Sequence, residues 1–140
     1  MFCILAAATQ LGEVLEIYHL RDTVRRTVCM GPNGEPQFQV SQGYGIPTGI
    51  MGFGDVQVTD SAIYAVFSGR TFKELMQNAQ QGKELPDGGR YIYMFSLQSK
   101  PLCRYVLDRH ISGFHVEEEK GIIWATDVNQ DQPICRFRVK

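Results

Sequence analysis

The sequence is a series of short segments in which apolar and polar residues alternate, separated by glycine, proline, asparagine and aspartate. An alternation with a period of two is typical of β-strands, and the separating residues are typical of turns. The pattern predicts strands at residues 2–9, 12–20, 23–30, 50–59, 62–68, 90–97, 102–107, 111–117, 121–127 and 133–139. Alanines at 6–8 would also suit a helix, but the repeat described below favours strands there. We therefore predict an all-β fold.

The segment 90–97 predicts a sheet that is covered on both faces. Its residues would place Tyr91, Tyr93, Phe95 and Leu97 on one face and Ile92 and Met94 on the other. Both sets are apolar enough to require burial. Segments 23–30 and 100–105 mix charges into the strand, as edge strands do when they must not pair with other chains. Apolar inner strands and polar edge strands are expected.

One segment predicts a helix instead. Thr71 and Glu74 have the spacing of a capping box, in which each side chain accepts a hydrogen bond from the other residue's backbone. Apolar residues then recur at positions 72, 75, 76 and 79, one face of an amphipathic helix, and Gly82 can end it. We predict one short helix from Phe72 to Gln81.

An internal repeat predicts the architecture. The tripeptide at 63–65 matches 123–125 at an offset of 60 and 4–6 at an offset of 59. Without the helical insertion the unit has roughly 40 to 45 residues and four strands, the size of a propeller blade. With strands labelled A to D outward from the axis, we predict a single domain, 1–140, that forms a partial β-propeller of about three four-stranded antiparallel blades. Residues 1–30 would supply strands B-C-D, 50–107 a full blade with a helical insertion at 71–82, and 111–140 strands A-B-C.

Apolar residues of these repeats should be buried between the blades. The prediction applies to seven side chains: Ile4, Ile63, Tyr64, Tyr93, Phe95, Ile123 and Trp124.

Four segments of the chain resemble a known family: 49–55, the sequence AIYAVFSGR at 62–70, 111–116 and 134–139. They are similar to the C-terminal part of the TolB-like six-bladed propeller proteins of Bacteroides-type bacteria. The resemblance implies the propeller fold and, because longer members look like exported lipoproteins, a place in the cell envelope or periplasm. It implies no catalytic residues. We expect no signal peptide at residues 1–8, because this apolar run lacks a basic region before it.

Composition excludes several classes of partner. The chain has 14 Lys plus Arg against 15 Asp plus Glu, so it lacks the basic surface that nucleic-acid binding requires. No segment is long and apolar enough for a membrane span. The four cysteines contain no CxxC pair, and their apolar surroundings predict small buried hydrophobes, with disulfides left open.

The longest connections should lie on one face of the propeller. Antiparallel blades place the B–C and D–A connections on one face, here named the loop face, and the A–B and C–D turns on the opposite turn face. Segments 31–49 and 71–89 both belong to the loop face, where binding residues usually lie. We predict a ligand-binding site near Tyr44, Asp55, Arg70, Arg109, His110 and Asn129.

No motif predicts a catalytic residue, a metal or a cofactor. The glycines of 43–54 fit no phosphate-binding loop and predict turns and a crowded strand start. The sequence favours a non-catalytic binding or interaction module for a protein, peptide or glycan over an enzyme. The alternative is a metal-dependent hydrolase or lactonase-like propeller, if Asp55, Asp108, Asp127 and Asp131 converge on calcium.

Self-association is a further expectation. Three blades are half of a six-bladed ring, so a homodimer could close the ring. If the chain is instead a fragment of a longer propeller, its exposed sheets would pair less regularly, for example by strand exchange.

Overall fold

The computed structural model describes residues 3–21, 23–83 and 85–139. These ranges contain one α-helix, α1 (Phe72–Gln80), and a 3₁₀ turn at Glu118–Lys120. Their strands are β1 (Ile4–Ala8), β2 (Val14–His19), β3 (Arg25–Met30), β4 (Phe38–Ser41), β5 (Tyr44–Pro47), β6 (Phe53–Val58), β7 (Ala62–Phe67), β8 (Gly89–Ser96), β9 (Pro101–Ile111), β10 (Phe114–Glu117), β11 (Ile122–Thr126) and β12 (Ile134–Arg138).

The strands form three stacked antiparallel sheets and one separate hairpin. The first sheet has the order β1-β2-β3, the middle sheet β6-β7-β8-β9 and the last sheet β10-β11-β12, while β4 and β5 pair only with each other. The predicted fold class, a partial β-propeller with one short helix, is confirmed.

The core lies on both sides of the middle sheet. All six residues of β7 are buried. On one side Ile63 and Phe95 pack against Leu15 and Ile17 of the first sheet. On the other side the residues from the middle sheet are Ala62, Tyr64, Val66 and Ile92, and they pack against Val116, Ile123 and Ala125 of the last sheet. The two-sided burial predicted for segment 90–97 is confirmed, since Tyr93 and Phe95 face the first sheet while Ile92 and Met94 face the last.

Of the seven side chains expected between the blades, four are buried: Ile63, Tyr64, Phe95 and Ile123. Ile4 and Tyr93 are half-buried. The prediction for Trp124 is wrong, because 38% of its surface is exposed. Its neighbours Ile123 and Ala125 turn toward the middle sheet, so the alternation of a strand directs Trp124 to the outer face.

The repeat holds for one pair of copies and fails for the other. Ile63 and Ile123 each face the sheet that precedes them in the chain, so the offset of 60 marks equivalent positions. Ile4 instead packs with Ala6 and Ala8 against the following sheet. Because a slip of one residue moves a side chain to the opposite face, the offset of 59 does not mark equivalent positions.

Strand direction bears on the assignment of residues 1–30. β1 lies beside β6 and runs in the opposite direction, with Thr9 accepting a 2.9 Å hydrogen bond from the Phe53 amide at the start of β6. The end of β2 reaches the β8–β9 turn, where Nε2 of His19 is 2.7 Å from the Leu97 carbonyl. These directions match strands B-C-D, which remains our proposal for the first sheet.

The predicted helix is present, one residue shorter than expected. The Glu74 amide donates to Oγ1 of Thr71, and the Thr71 amide donates to Oε2 of Glu74, both at 3.0 Å. The capping box is therefore complete. No residue of α1 is buried, so the helix lies on the surface of the propeller.

The hairpin β4–β5 was not predicted, and segment 31–49 was expected to be a loop. Two alternating runs flank a two-residue turn in which Gln42 and Gly43 both have positive φ, the conformation that tight hairpins favour. The short runs were overlooked because both faces of the hairpin are exposed and no burial pattern accompanies them.

Two further properties concern the whole described chain. Its α-helix is too short to traverse a lipid bilayer. The four cysteines are free. Cys29 and Cys135 are half-buried, but Cys3 and Cys103 are exposed, so the expectation of buried cysteines is wrong for these two, which lie at positions that face solvent.

Candidate functional site

Connections from the first and middle sheets meet on the loop face. The Gly52 amide donates to the Gln10 carbonyl of the first sheet at 2.7 Å, and the Ser68 amide donates to the Gly52 carbonyl at 2.9 Å. A Cβ at Gly52 would lie 2.2 Å from the Gly12 carbonyl oxygen, so only glycine allows this approach. The crowded strand start expected from the glycine-rich segment is present.

A separate hydrogen-bond network joins two sheets on the turn face. There Thr59 and Ser61 donate hydrogen bonds to the carboxylate of Glu118, which also accepts one from the hydroxyl of Tyr64. Burial is the largest cause that raises the pKa of Tyr64, and the Glu118 bond adds to it. The network ties the middle sheet to the last sheet, and we assign it a structural role.

A second network joins the middle and last sheets on the loop face. The Asp87 amide donates to Oδ1 of Asn129 at 2.8 Å, and Nδ2 of Asn129 donates to the Asp87 carbonyl at 3.0 Å. The same Nδ2 and the Asn129 amide donate to the buried carboxylate of Asp127. On the other side of Asp87, Arg70 donates to the Gly88 carbonyl at 3.3 Å. The segment that returns from α1 is thereby held against both sheets.

Two clefts open beside this network. The first has a volume of about 360 Å³ and lies under α1, between Leu75 of the helix, Phe53 of β6 and Ile111 of β9. The second has a volume of about 400 Å³ and lies between the first and middle sheets. Arg70, which follows β7, belongs to the walls of both clefts.

The second cleft is lined by several cationic side chains. We name it the arginine cleft after Arg70, Arg90 and Arg104, which line it together with His110. Arg104 stands over the ring of Tyr91, with its guanidinium carbon 5.1 Å from the ring centre. In the described part of the chain, the ion pairs are Arg26–Glu16, Arg109–Asp108 and Lys120–Glu117, so none uses an arginine of the cleft.

Two carboxylates also line the arginine cleft, and each already has hydrogen-bond donors. Glu74 accepts from the Thr71 amide in the capping box. Glu13 is 5% exposed and accepts from the hydroxyl of Tyr93 at 2.9 Å and from the side chain of Asn33 at 2.7 Å. A Cβ at position 31 would lie 2.1 Å from the Glu13 carboxyl carbon, so Gly31 leaves the space that Glu13 occupies.

His110 lies at an irregularity in the pairing of two strands. The pairing of β8 with β9 shifts between Gly89 and Tyr91, whose partners are Ile111 and Val106. Burial lowers the pKa of His110, and the charges of Arg70 and Arg90 lower it further, while Asp127 opposes them. The neutral imidazole is therefore favoured.

Two of the six predicted site residues, Arg70 and His110, line the arginine cleft, and a third, Asn129, hydrogen-bonds Asp87 in the wall of the cleft under α1. The other three lie elsewhere. Tyr44 is 75% exposed on the separate hairpin. Asp55 accepts hydrogen bonds from the Val56 and Phe114 amides, which joins β6 to β10. Arg109 lies near Cys135, where burial raises the pKa of the thiol and Arg109 lowers it.

The four aspartates considered for calcium do not converge on a metal site. Among the residues described, no three His, Cys, Asp or Glu side chains are grouped in a way that could hold a metal ion. The Asp127 carboxylate instead accepts hydrogen bonds from the Asn129 amide and side chain.

Sequence reasoning missed Arg90, Arg104 and Glu13. Arg104 was interpreted as a charge that protects an edge strand, and Glu13 lies in a predicted strand with no motif around it. The available signal was the alternation in β8 and β9, because Arg104 pairs with Tyr93 and must share its face. The proximity of Glu13 to the face of Tyr93 and Arg104 depends on how the first sheet packs on the middle sheet, so the sequence does not show it.

Comparison with known proteins decides the family. Residues 3–119 match the TolB-like 6-blade propeller-like family. The chain belongs to this family. No curated protein and no solved structure matches the chain significantly. The family resemblance stated from the sequence is thus confirmed, and the propeller is the scaffold on which the loop face is built.

Proposed function

We propose that this TolB-like chain is a non-catalytic binding or interaction module whose ligand contacts the loop face. The observation that carries the proposal is the arginine cleft, whose walls come from the first sheet, the middle sheet and the segment around α1. Binding sites on rigid scaffolds are commonly concave and few in number. We assign the protein to the cell envelope or periplasm on the basis of its family resemblance.

Hydrolysis on this scaffold is not favoured by any observation. The alternative function, a metal-dependent hydrolase or lactonase-like enzyme, requires aspartates gathered around a metal ion. The residues described provide no such group. The charged neighbours of His110, the histidine of the arginine cleft, are Arg70, Arg90 and Asp127.

Ligand mapping tests the proposal. Backbone amide shifts would be recorded while libraries of short peptides and oligosaccharides are added to the folded chain. We expect shifts near residues 70, 88, 110 and 129, and weaker binding by N129A, because Asn129 holds Asp87 next to the Gly88 carbonyl that positions Arg70.

The matched control is D60N, an exposed substitution on the turn face. It should bind as the unsubstituted chain does. Shifts centred on the Thr59–Ser61 turn, or equal losses in both variants, would contradict the proposal.

A further inference from the structure

We propose that the arginine cleft binds a phosphate group carried by a small organic ligand. The inference rests on the proposed function and names the chemistry of its ligand. Three guanidinium groups from different positions in the chain line one cleft: Arg70 follows β7, Arg90 lies at the start of β8, and Arg104 lies within β9.

The charge of the lining favours an anion. The lining contains three arginines and only two carboxylates, Glu13 and Glu74. The oxygens of both carboxylates already accept hydrogen bonds. No ion pair found in the described ranges neutralises the three guanidiniums. A cation cluster of this kind is stabilised when an anion enters. A bound anion would also favour a proton on His110, which adds a donor.

Two of the three arginines, Arg70 and Arg104, are positioned before any ligand arrives. The Gly88 carbonyl accepts from Arg70, and the ring of Tyr91 supports the guanidinium of Arg104. Guanidinium groups donate paired N–H groups in a fixed plane, which suits the oxygens of phosphate and carboxylate. Phosphate fits three guanidiniums better than carboxylate does, because it has more acceptor oxygens and carries up to two negative charges.

The volume indicates more than a bare ion. A cleft of about 400 Å³ is within the range of small-molecule sites and exceeds the space that one phosphate fills. Tyr93 and Phe67 supply aromatic surface to the same cleft, against which an organic group could pack.

Amide shifts recorded during titration with phenyl phosphate test the inference. We expect saturable shifts confined to residues around positions 70, 90, 104 and 110, and a Kd at least about tenfold lower than that of phenol or inorganic phosphate. R90Q and R104Q should each raise the Kd about tenfold, since each removes a charge-assisted hydrogen bond. R138Q, an exposed arginine of the last sheet, should leave it unchanged.

Several results would overturn the inference. Benzoate binding more tightly than phenyl phosphate would exclude phosphate specificity, and inorganic phosphate binding equally tightly would exclude an organic ligand. If R90Q and R104Q both bind phenyl phosphate with unchanged affinity, and their thermal unfolding is also unchanged, the arginines do not contact the ligand. If phenol or a neutral oligosaccharide alone shifts the loop face, the phosphate inference fails while the proposed function stands. If all shifts map to the Thr59–Ser61 turn, both fail.

Discussion

Phe95 illustrates how single side chains hold the sheets together. It is 7% exposed and packs with Leu15 and Ile17 across the interface between the first and middle sheets. F95A should lower the free energy of unfolding by about 3–5 kcal/mol, because it removes a buried ring and leaves a cavity. Urea denaturation measures this change.

The matched control for F95A is L102A, on the neighbouring strand, where the leucine is 54% exposed. It should change the free energy of unfolding by no more than about 0.5 kcal/mol. A loss below about 1 kcal/mol in F95A would place Phe95 outside the core.

His110 reports the electrostatics of the arginine cleft. Its pKa lies below the ordinary value, because burial disfavours the imidazolium and Arg70 and Arg90 repel it. R90Q removes one positive charge and should raise the pKa, but not to the value of an exposed histidine, since burial is the largest cause. A titration of the His110 ring protons by NMR measures the shift.

Two comparisons complete the histidine experiment. R138Q should not alter the pKa of His110, because Arg138 belongs to the last sheet and does not line the arginine cleft. A pKa in R90Q equal to or below that of the unsubstituted chain would mean that Arg90 does not face the imidazole. The phosphate inference would then lose one of its three arginines.

At the scale of elements, α1 depends on its cap more than on the core. None of its residues is buried, whereas both hydrogen bonds of the capping box are present. T71A should destabilise the helix by about 1 kcal/mol, because the Glu74 amide loses its acceptor. Hydrogen exchange of the α1 amides should then become about fivefold faster.

Hydrogen exchange of the β7 amides provides the internal reference for the T71A experiment. Those amides lie in a fully buried strand and should keep their protection, since α1 can open without the core. T71S keeps a hydroxyl at the cap and should exchange as the unsubstituted chain does. Equal acceleration in T71A and T71S would show that the cap is unimportant.

At the scale of the whole molecule, the outer sheets expose apolar side chains. Leu5, Val28 and Met30 of the first sheet and Trp124 and Ile134 of the last are exposed. Clusters of exposed apolar residues favour association. We propose that the chain self-associates through these faces, either as a homodimer or less regularly.

Light scattering after size-exclusion chromatography tests self-association. At micromolar concentration we expect a mass at least twice that of the 15.8 kDa chain. V28E, on the exposed face of β3, should reduce the mass, while K73E on α1 should not. A monodisperse monomer would contradict the proposal.

The sequence by itself determined ten of the twelve described strands, the helix and the family. Alternation defines a strand because side chains point to opposite faces, and a capping box is local, so both can be recognised within a few residues. Each of the ten predicted segments overlaps a strand of the structure, and these strands and α1 follow from such short-range chemistry. The hairpin β4–β5 escaped because its exposed faces carry no burial pattern.

Only the tertiary structure decided which faces meet and which side chains converge. Trp124 is exposed and Ile4 turns toward the following sheet, because facing depends on the stacking of sheets and changes with one residue of register. Arg70 and Arg104 are 34 positions apart in the sequence, yet they line one cleft because β7 and β9 flank β8 in the middle sheet. Glu13 joins them from the first sheet through its bond to Tyr93, a contact that no local pattern specifies.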